Sequence, residues 1–145
     1  MWIADGYLDA DEDPSFVRHA DACNLFGHSY KQWYRGLARH GVKRELTIWF
    51  PKLYPNPDWS TEISGDGNTI YERRILNNTS FIREALKSPD RFKRLVFAAM
   101  VEANGNVAYH FKGLYEVDPK ESLKTSTMTY HRKEKRVSRY SRMDR

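Results

Sequence analysis

Cysteine is almost missing from this chain: Cys23 is the single one in 145 residues. One thiol excludes an internal disulfide and a zinc site built from cysteines. Long apolar runs are missing too, and no stretch approaches the roughly 18 residues that a membrane-spanning helix requires, so no membrane is expected among the partners. The start, MWIADGYLDADED, has neither the basic nor the apolar region of a secretory signal. These absences point to an intracellular, cytoplasmic protein. No GxxxxGKS or GxxxxGKT run is present, which removes a phosphate-cradling P-loop. The histidines His19, His28, His40, His110 and His131 show neither HxxxH nor HExxH spacing, so neither a dedicated metal site nor a cofactor is expected. Cys23 lies beside apolar residues on a predicted helix and reads as a buried structural thiol rather than a nucleophile.

What the chain does have is aromatics and unevenly placed charge. Four Trp, nine Tyr and seven Phe make up 14% of the sequence, and 40% of it is hydrophobic, enough for the core of one domain. The first sixteen residues hold Asp5, Asp9, Asp11, Glu12 and Asp13 and no basic residue, an acidic arm over 1–16. The last fifteen, HRKEKRVSRYSRMDR, carry seven Arg or Lys against two acids, and a basic tail is expected over 138–145. The net charge is +5. Basic balance with many aromatics suits a polyanionic partner, foremost a nucleic acid.

The pattern predicts a β-rich α+β domain with five or six strands and two helices, folded as a curved sheet or small barrel. The arm is expected to be poorly ordered or a short edge strand. FVRHADACNLFG reads as a short helix ending near Gly27, and ELTIWF as a strand that Pro51 stops. TIYERRIL reads as a strand, and NTSFIREALK as a helix capped by Asn78 or Thr79. Asn104-Gly105-Asn106 separates two strand-like runs, 95–102 and 107–117, which should pair as a hairpin because Asn-Gly accepts positive φ. A last strand is expected over 128–137.

The stretch YPNPDWSTEISGDGN, residues 54–68, is read as a long loop, since alternate prolines spoil a central strand. Its aromatics can sandwich a flat ring, and its Asp and Asn side chains can read hydrogen-bonding edges, as a pocket for an extruded base must. On spacing alone, Tyr54 and Trp59 are more readily read as stapling the loop to the core. Asp58, Glu62 and Asp66 could hold a metal ion in a small nuclease or a base-processing enzyme, although acids in such a loop more often form turns. SYKQWYRGLARHGVKR and YERR offer phosphate contacts, with Arg18, Lys31, Arg35, Arg39, Arg73 and Arg74 as candidates.

Several motifs occur in the order found in SRA-type, PUA-like domains, which read modified DNA bases in chromatin proteins and in bacterial modification-dependent restriction systems. RHADACNLFGHSYKQWYRG resembles their basic entry segment, and YPNPDWSTEISGDGN resembles their pocket loop, with Ser64-Gly65-Asp66-Gly67-Asn68 for a T-G-E-G-Q turn. LNNTSFIREALKS resembles the helix that follows. KRLVFAAM and AYHFKGLYEV resemble a strand pair with a Y-x-G-x-Y-x-V run, here Tyr109, Gly113, Tyr115 and Val117 with one extra residue.

The likeness covers 17–137. It implies a non-catalytic binding domain that flips a modified base, a modified cytosine such as 5-methylcytosine, out of double-stranded DNA. It also implies a nuclease domain or subunit as a further partner. By this resemblance Asp66 or Asp58 reads the cytosine edge, Trp49, Tyr54 and Trp59 supply walls, and Asn56, Ser64 and Gly65 complete the pocket. Ile63 stands where many relatives carry Tyr, which leaves one wall changed. An RNA-binding PUA-like module shares the frame and remains an alternative.

Overall fold

In the computed structural model, which describes residues 1–143, the chain forms ten strands and three α-helices among the described residues. The first half contains β1 (Trp2–Asp9), β2 (Ser15–Phe16), α1 (His19–Cys23), β3 (Leu37–Arg39), β4 (Thr47–Trp49), β5 (Trp59–Ile63) and β6 (Thr69–Arg74). The second contains α2 (Asn78–Ala85), β7 (Lys93–Val101), β8 (Val107–Val117), α3 (Pro119–Thr125), β9 (Met128–Glu134) and β10 (Arg136–Arg142). The main sheet is open, in the order β3-β4-β7-β8-β9-β6-β5, with β2 added beside β8. All its pairs are antiparallel except β4 with β7. The fold is α+β on a curved sheet.

The β7–β8 hairpin is the spine. It turns at Gly105, where φ is 85°, and pairs Val101 with Val107 and Lys93 with Glu116 at its two ends. Register shifts at Val96/Phe97 and at Leu114/Tyr115 bend it. Gly113 pairs with Val96 at the first of these shifts, with φ 122°, and a Cβ there would meet the Glu134 carbonyl oxygen at 2.4 Å. Only glycine fits such a place.

Alternation along β7 sends side chains to two cores, one on each face. Leu95 and Phe97 join Ile48, Phe111, Phe26 and Cys23 on one side. Val96 and Ala98 join Trp49, Ile70, Phe81 and Tyr130 on the other. Cys23 is buried in the first core, and burial pushes its thiol up to about 12. His40 is buried against Phe26; its Nδ1 accepts from the Val42 and Lys43 backbone amides, and burial lowers its pKa to about 4. His110 of β8 bonds Asp13 at 2.9 Å and Glu102 at 2.6 Å, tying the β1–β2 connection to the hairpin.

Several expectations are corrected. The arm is ordered: of its two expected forms it takes the strand, as β1, eight residues long and paired with β10 in a separate two-stranded sheet, while Asp11 and Glu12 lie in a 3-10 turn that follows. The single strand expected over 128–137 is two strands: β9 belongs to the main sheet, and β10 continues through much of the basic tail. Asp144 and Arg145, the end of that tail, lie outside the described residues. The stretch read as one loop contains β5, whose residues alternate half-buried and exposed as a strand's do. The helix expected over 16–27 shortens to α1 and a 3-10 turn at Asn24–Phe26.

α2 is capped by neither expected residue. Asn77 stands at its start with φ 58°, while Asn78 bonds Arg74 and Ser126. α3 was not expected, although Asp118-Pro119 followed by Glu121 marks it: the Asp118 carboxylate accepts from the Glu121 amide at 3.0 Å. No helix among the described residues is long and apolar enough to cross a membrane.

Candidate functional site

Alternation along β6 turns Ile70 and Glu72 to the same inward face, so a carboxyl occupies a core position with 4% exposure. On β7 the same logic places Arg94 beside Val96 and Ala98, with 1% exposure. Between these strands lies a cavity of about 530 Å³, within the roughly 300–1,000 Å³ of small-ligand sites. Strands far apart in the sheet order meet around it, β4 and β7 on one side and β6 and β5 on the other. The sheet's curl therefore makes the cavity.

Trp49 and Trp59 supply its large aromatic surfaces, and Arg35 and Lys52 stand exposed on its rim. Trp59 is held edge-on by Phe81 of α2, with ring centres 4.8 Å apart. An Asx turn sets its backbone: Asn56 Oδ1 accepts from the amides of Asp58 at 3.1 Å and Trp59 at 3.0 Å. That leaves Asn56 Nδ2 buried on the cavity wall with no hydrogen-bond partner.

Glu72 and Arg94, the most buried polar residues of the lining, form its floor. Glu72 Oε1 accepts from the Tyr130 hydroxyl at 2.8 Å and from Arg91 Nη1 at 3.2 Å, so its second oxygen takes part in neither bond. The Arg94 guanidinium lies 4.6 Å from the Trp49 ring centre and 5.8 Å from that of Tyr130, within cation–π range. Its Nε and Nη2 have no hydrogen-bond partner. Burial pulls the Arg94 pKa down, with Tyr130 and Glu72 pulling the other way. Burial, then the neighbouring Glu72, pushes the Tyr130 hydroxyl above its usual range, so it stays a donor. The floor thus holds a carboxylate oxygen outside both bonds and two unsatisfied guanidinium nitrogens, in a cavity that two indoles also line.

The sequence candidates fall into three places. Trp49, Asn56, Asp58 and Trp59 come together on the cavity. Tyr54 lies in an adjoining cleft of about 350 Å³ that shares Asn56 and Trp59. Ser64, Gly65 and Asp66 are not in the lining; they form the β5–β6 turn. Asp66 Oδ1 accepts from Ser64 Oγ at 2.7 Å and from the Asn68 amide at 2.9 Å, and those bonds hold its carboxyl below the usual range. Arg132 and Tyr115 clamp the same turn through the Asp66 and Gly67 carbonyls. Ile63 packs into the core and does not line the cavity. Asp58, Glu62 and Asp66 do not converge, and no group of three His, Cys, Asp or Glu suited to a metal ion occurs among the described residues.

Of the proposed backbone contacts, Arg35 reaches the cavity rim. Arg18 pairs with Asp21 at 2.7 Å, and Arg39 with Asp90 at 3.2 Å. Lys31, Arg73 and Arg74 are exposed. Sequence reasoning missed Glu72, Arg91 and Arg94. A readable signal existed for the first: in TIYERR the acid falls on the same side as Ile70, and a charge at a core position needs a reason.

The order of elements, the curled sheet and the aromatic cavity bear comparison with known proteins. A sequence model of the SET and RING associated domain matches residues 1–138. The chain belongs to the SRA family. A solved structure similar to this SRA domain is the 5-hydroxymethylcytosine-specific restriction enzyme AbaSI, at 34% sequence identity and a TM-score of 0.81. The similarity takes in 95% of this chain and 44% of that one, so the SRA domain here spans less than half the enzyme's length. A comparison with curated proteins gave no match.

Proposed function

We propose that this SRA domain binds double-stranded DNA and reads a modified cytosine turned out of the helix into the cavity between Trp49 and Trp59, as the recognition module of a restriction system. The observation that carries the reading is the buried Glu72 in a cavity that Trp49 and Trp59 also line. A carboxylate is the acceptor that suits the cytosine amino group, and flat indoles stack on the ring. The reader role foreseen for Asp58 or Asp66 fits Glu72 better, because Asp66 spends its carboxyl on its own turn and Asp58 is exposed at the rim. Likeness to a 5-hydroxymethylcytosine-specific enzyme supports 5-hydroxymethylcytosine as the first base to test. Arg35 and Lys52 on the rim suit phosphates beside the everted nucleotide. Cleavage belongs to a nuclease domain or subunit outside these residues.

The test is a binding titration at near-physiological salt with matched duplexes carrying cytosine, 5-methylcytosine, 5-hydroxymethylcytosine or glucosylated cytosine, and with single-stranded RNA as competitor. A preference of about tenfold or more for a modified duplex is expected, on the scale of one specific contact and made to the 5-substituent, since all four cytosines present the same amino edge. Equal binding to all duplexes, or RNA winning the competition, would overturn the reading.

A further inference from the structure

The cavity contains a second polar group whose chemistry the carboxylate does not explain. Arg94 is an arginine at a core position on a central strand, with 1% exposure and two guanidinium nitrogens unbonded. Buried charges are ordinarily paired, and an unpaired one costs far more than an apolar residue of similar size. Glu72 does not satisfy it by hydrogen bonding: its Oε1 is taken by Tyr130 and Arg91, so the floor's ion pair is made with Arg91. Arg94 lies against the rings of Trp49 and Tyr130, and its Nε and Nη2 donate to no protein group.

An arginine donates only, so whatever meets it must accept. Arg94 and Glu72 line one cavity as donor and acceptor. Cytosine presents the complement along its Watson–Crick edge: an amino donor at N4, then acceptors at N3 and O2. Uracil and thymine present an acceptor at position 4 and a donor at N3, which would meet both floor groups with the wrong sign.

We infer that Arg94 is a specificity-determining residue of the cavity, donating to the N3 and O2 acceptors of the everted base while Glu72 takes its amino group. The inference rests on the modified-base reading above. It assigns discrimination against uracil-type bases to Arg94 and Glu72 together, and leaves the 5-substituent to other parts of the cavity.

The test uses the full chain and two duplexes that differ only at one nucleotide, 5-hydroxymethylcytosine opposite guanine or 5-hydroxymethyluracil opposite adenine. Wild type should favour the cytosine duplex. Arg94→Met should weaken binding to the cytosine duplex by about tenfold or more and to the uracil duplex by no more than about twofold, collapsing the preference. It should melt no lower than wild type, because Glu72 keeps Tyr130 and Arg91 as partners. Arg94→Lys keeps the charge but not the two-pronged fork. It should lose the same discrimination, and it gives the answer if the Met variant does not fold.

Equal losses on both duplexes, or an unchanged preference, would overturn the inference: the first makes Arg94 a packing residue, the second a bystander. The base-reading proposal fails separately, if wild type binds modified and unmodified cytosine duplexes alike, and the assignment of Arg94 falls with it.

Discussion

Asp66 and Glu72 belong to one hairpin, the first in its turn and the second on β6, and their carboxyls are used differently. Asp66 is exposed, and its Oδ1 is occupied by Ser64 Oγ and the Asn68 amide. Glu72 is buried, and its partners are side chains from other parts of the chain, Arg91 and Tyr130. The turn uses its acid for shape, tying Ser64 to Asn68 across two glycines. The strand does not need an acid for shape, because Ile70 shows what that face ordinarily takes. An acid that local geometry does not require, held in place by distant residues, is the one free to meet a ligand.

That contrast can be broken most forcefully at Glu72. Glu72→Ala strands Arg91 without its ion-pair partner and removes the acid beside Arg94, and the loss in a denaturant melt should be about 3–5 kcal/mol. Glu72→Gln keeps the shape; its binding to a 5-hydroxymethylcytosine duplex should fall by about 1–3 kcal/mol in a titration while the melt moves much less. A Gln variant that binds like wild type would remove Glu72 from the reading.

Trp59→Ala should cost about 1–3 kcal/mol of binding, the scale of one stacked base. Competition between modified and unmodified duplexes should show that the loss falls on the modified one. The turn provides the control: Asp66→Ala should lower the melting temperature slightly and leave base preference unchanged. Because its bonds depress the Asp66 pKa, its contribution to stability is present at neutral pH and is lost as pH falls through the depressed value.

A third group of acids sharpens the comparison and carries the smallest effect. Burial disfavours a charged His110, but its hydrogen bonds to Asp13 and Glu102 outweigh burial and raise its pKa above 6.5. The clamp is therefore at full strength below that value and weakens as pH rises through the folded-state pKa. Melts of wild type and His110→Gln should differ most in mild acid and converge in alkaline buffer, with DNA binding the same at each pH.

Much of the frame could be read from local chemistry. The Asn104-Gly105-Asn106 turn fixed its hairpin, and the Phe81 and Ala85 spacing fixed α2, because both depend on neighbours in sequence. The aromatic half of the cavity was legible too, as Trp49, Asn56 and Trp59 lie on or beside a stretch that no regular element explained. The floor was not, since an inward Glu72 beside Arg91 and Arg94 depends on how β6 faces β7 across the curled sheet. The division of 128–137 into two strands escaped for a similar reason: Lys135 ends one pairing and the next is with β1, at the far end of the chain. α3 was legible locally as well, since Asp118 and Glu121 mark its start.

The pairing of β1 with β10 has a consequence for how this fold could be rewired. Trp2 lies opposite Arg142, and the Met143 amide donates to the Met1 carbonyl at 2.8 Å, so the two ends of the described chain sit side by side. A short linker could join them, and new ends could be opened at the exposed 103–106 turn without disturbing either core. Such a circular permutant would carry an attached domain at the tip of the β7–β8 hairpin instead of beside the terminal strands, with the cavity between Trp49 and Trp59 unchanged.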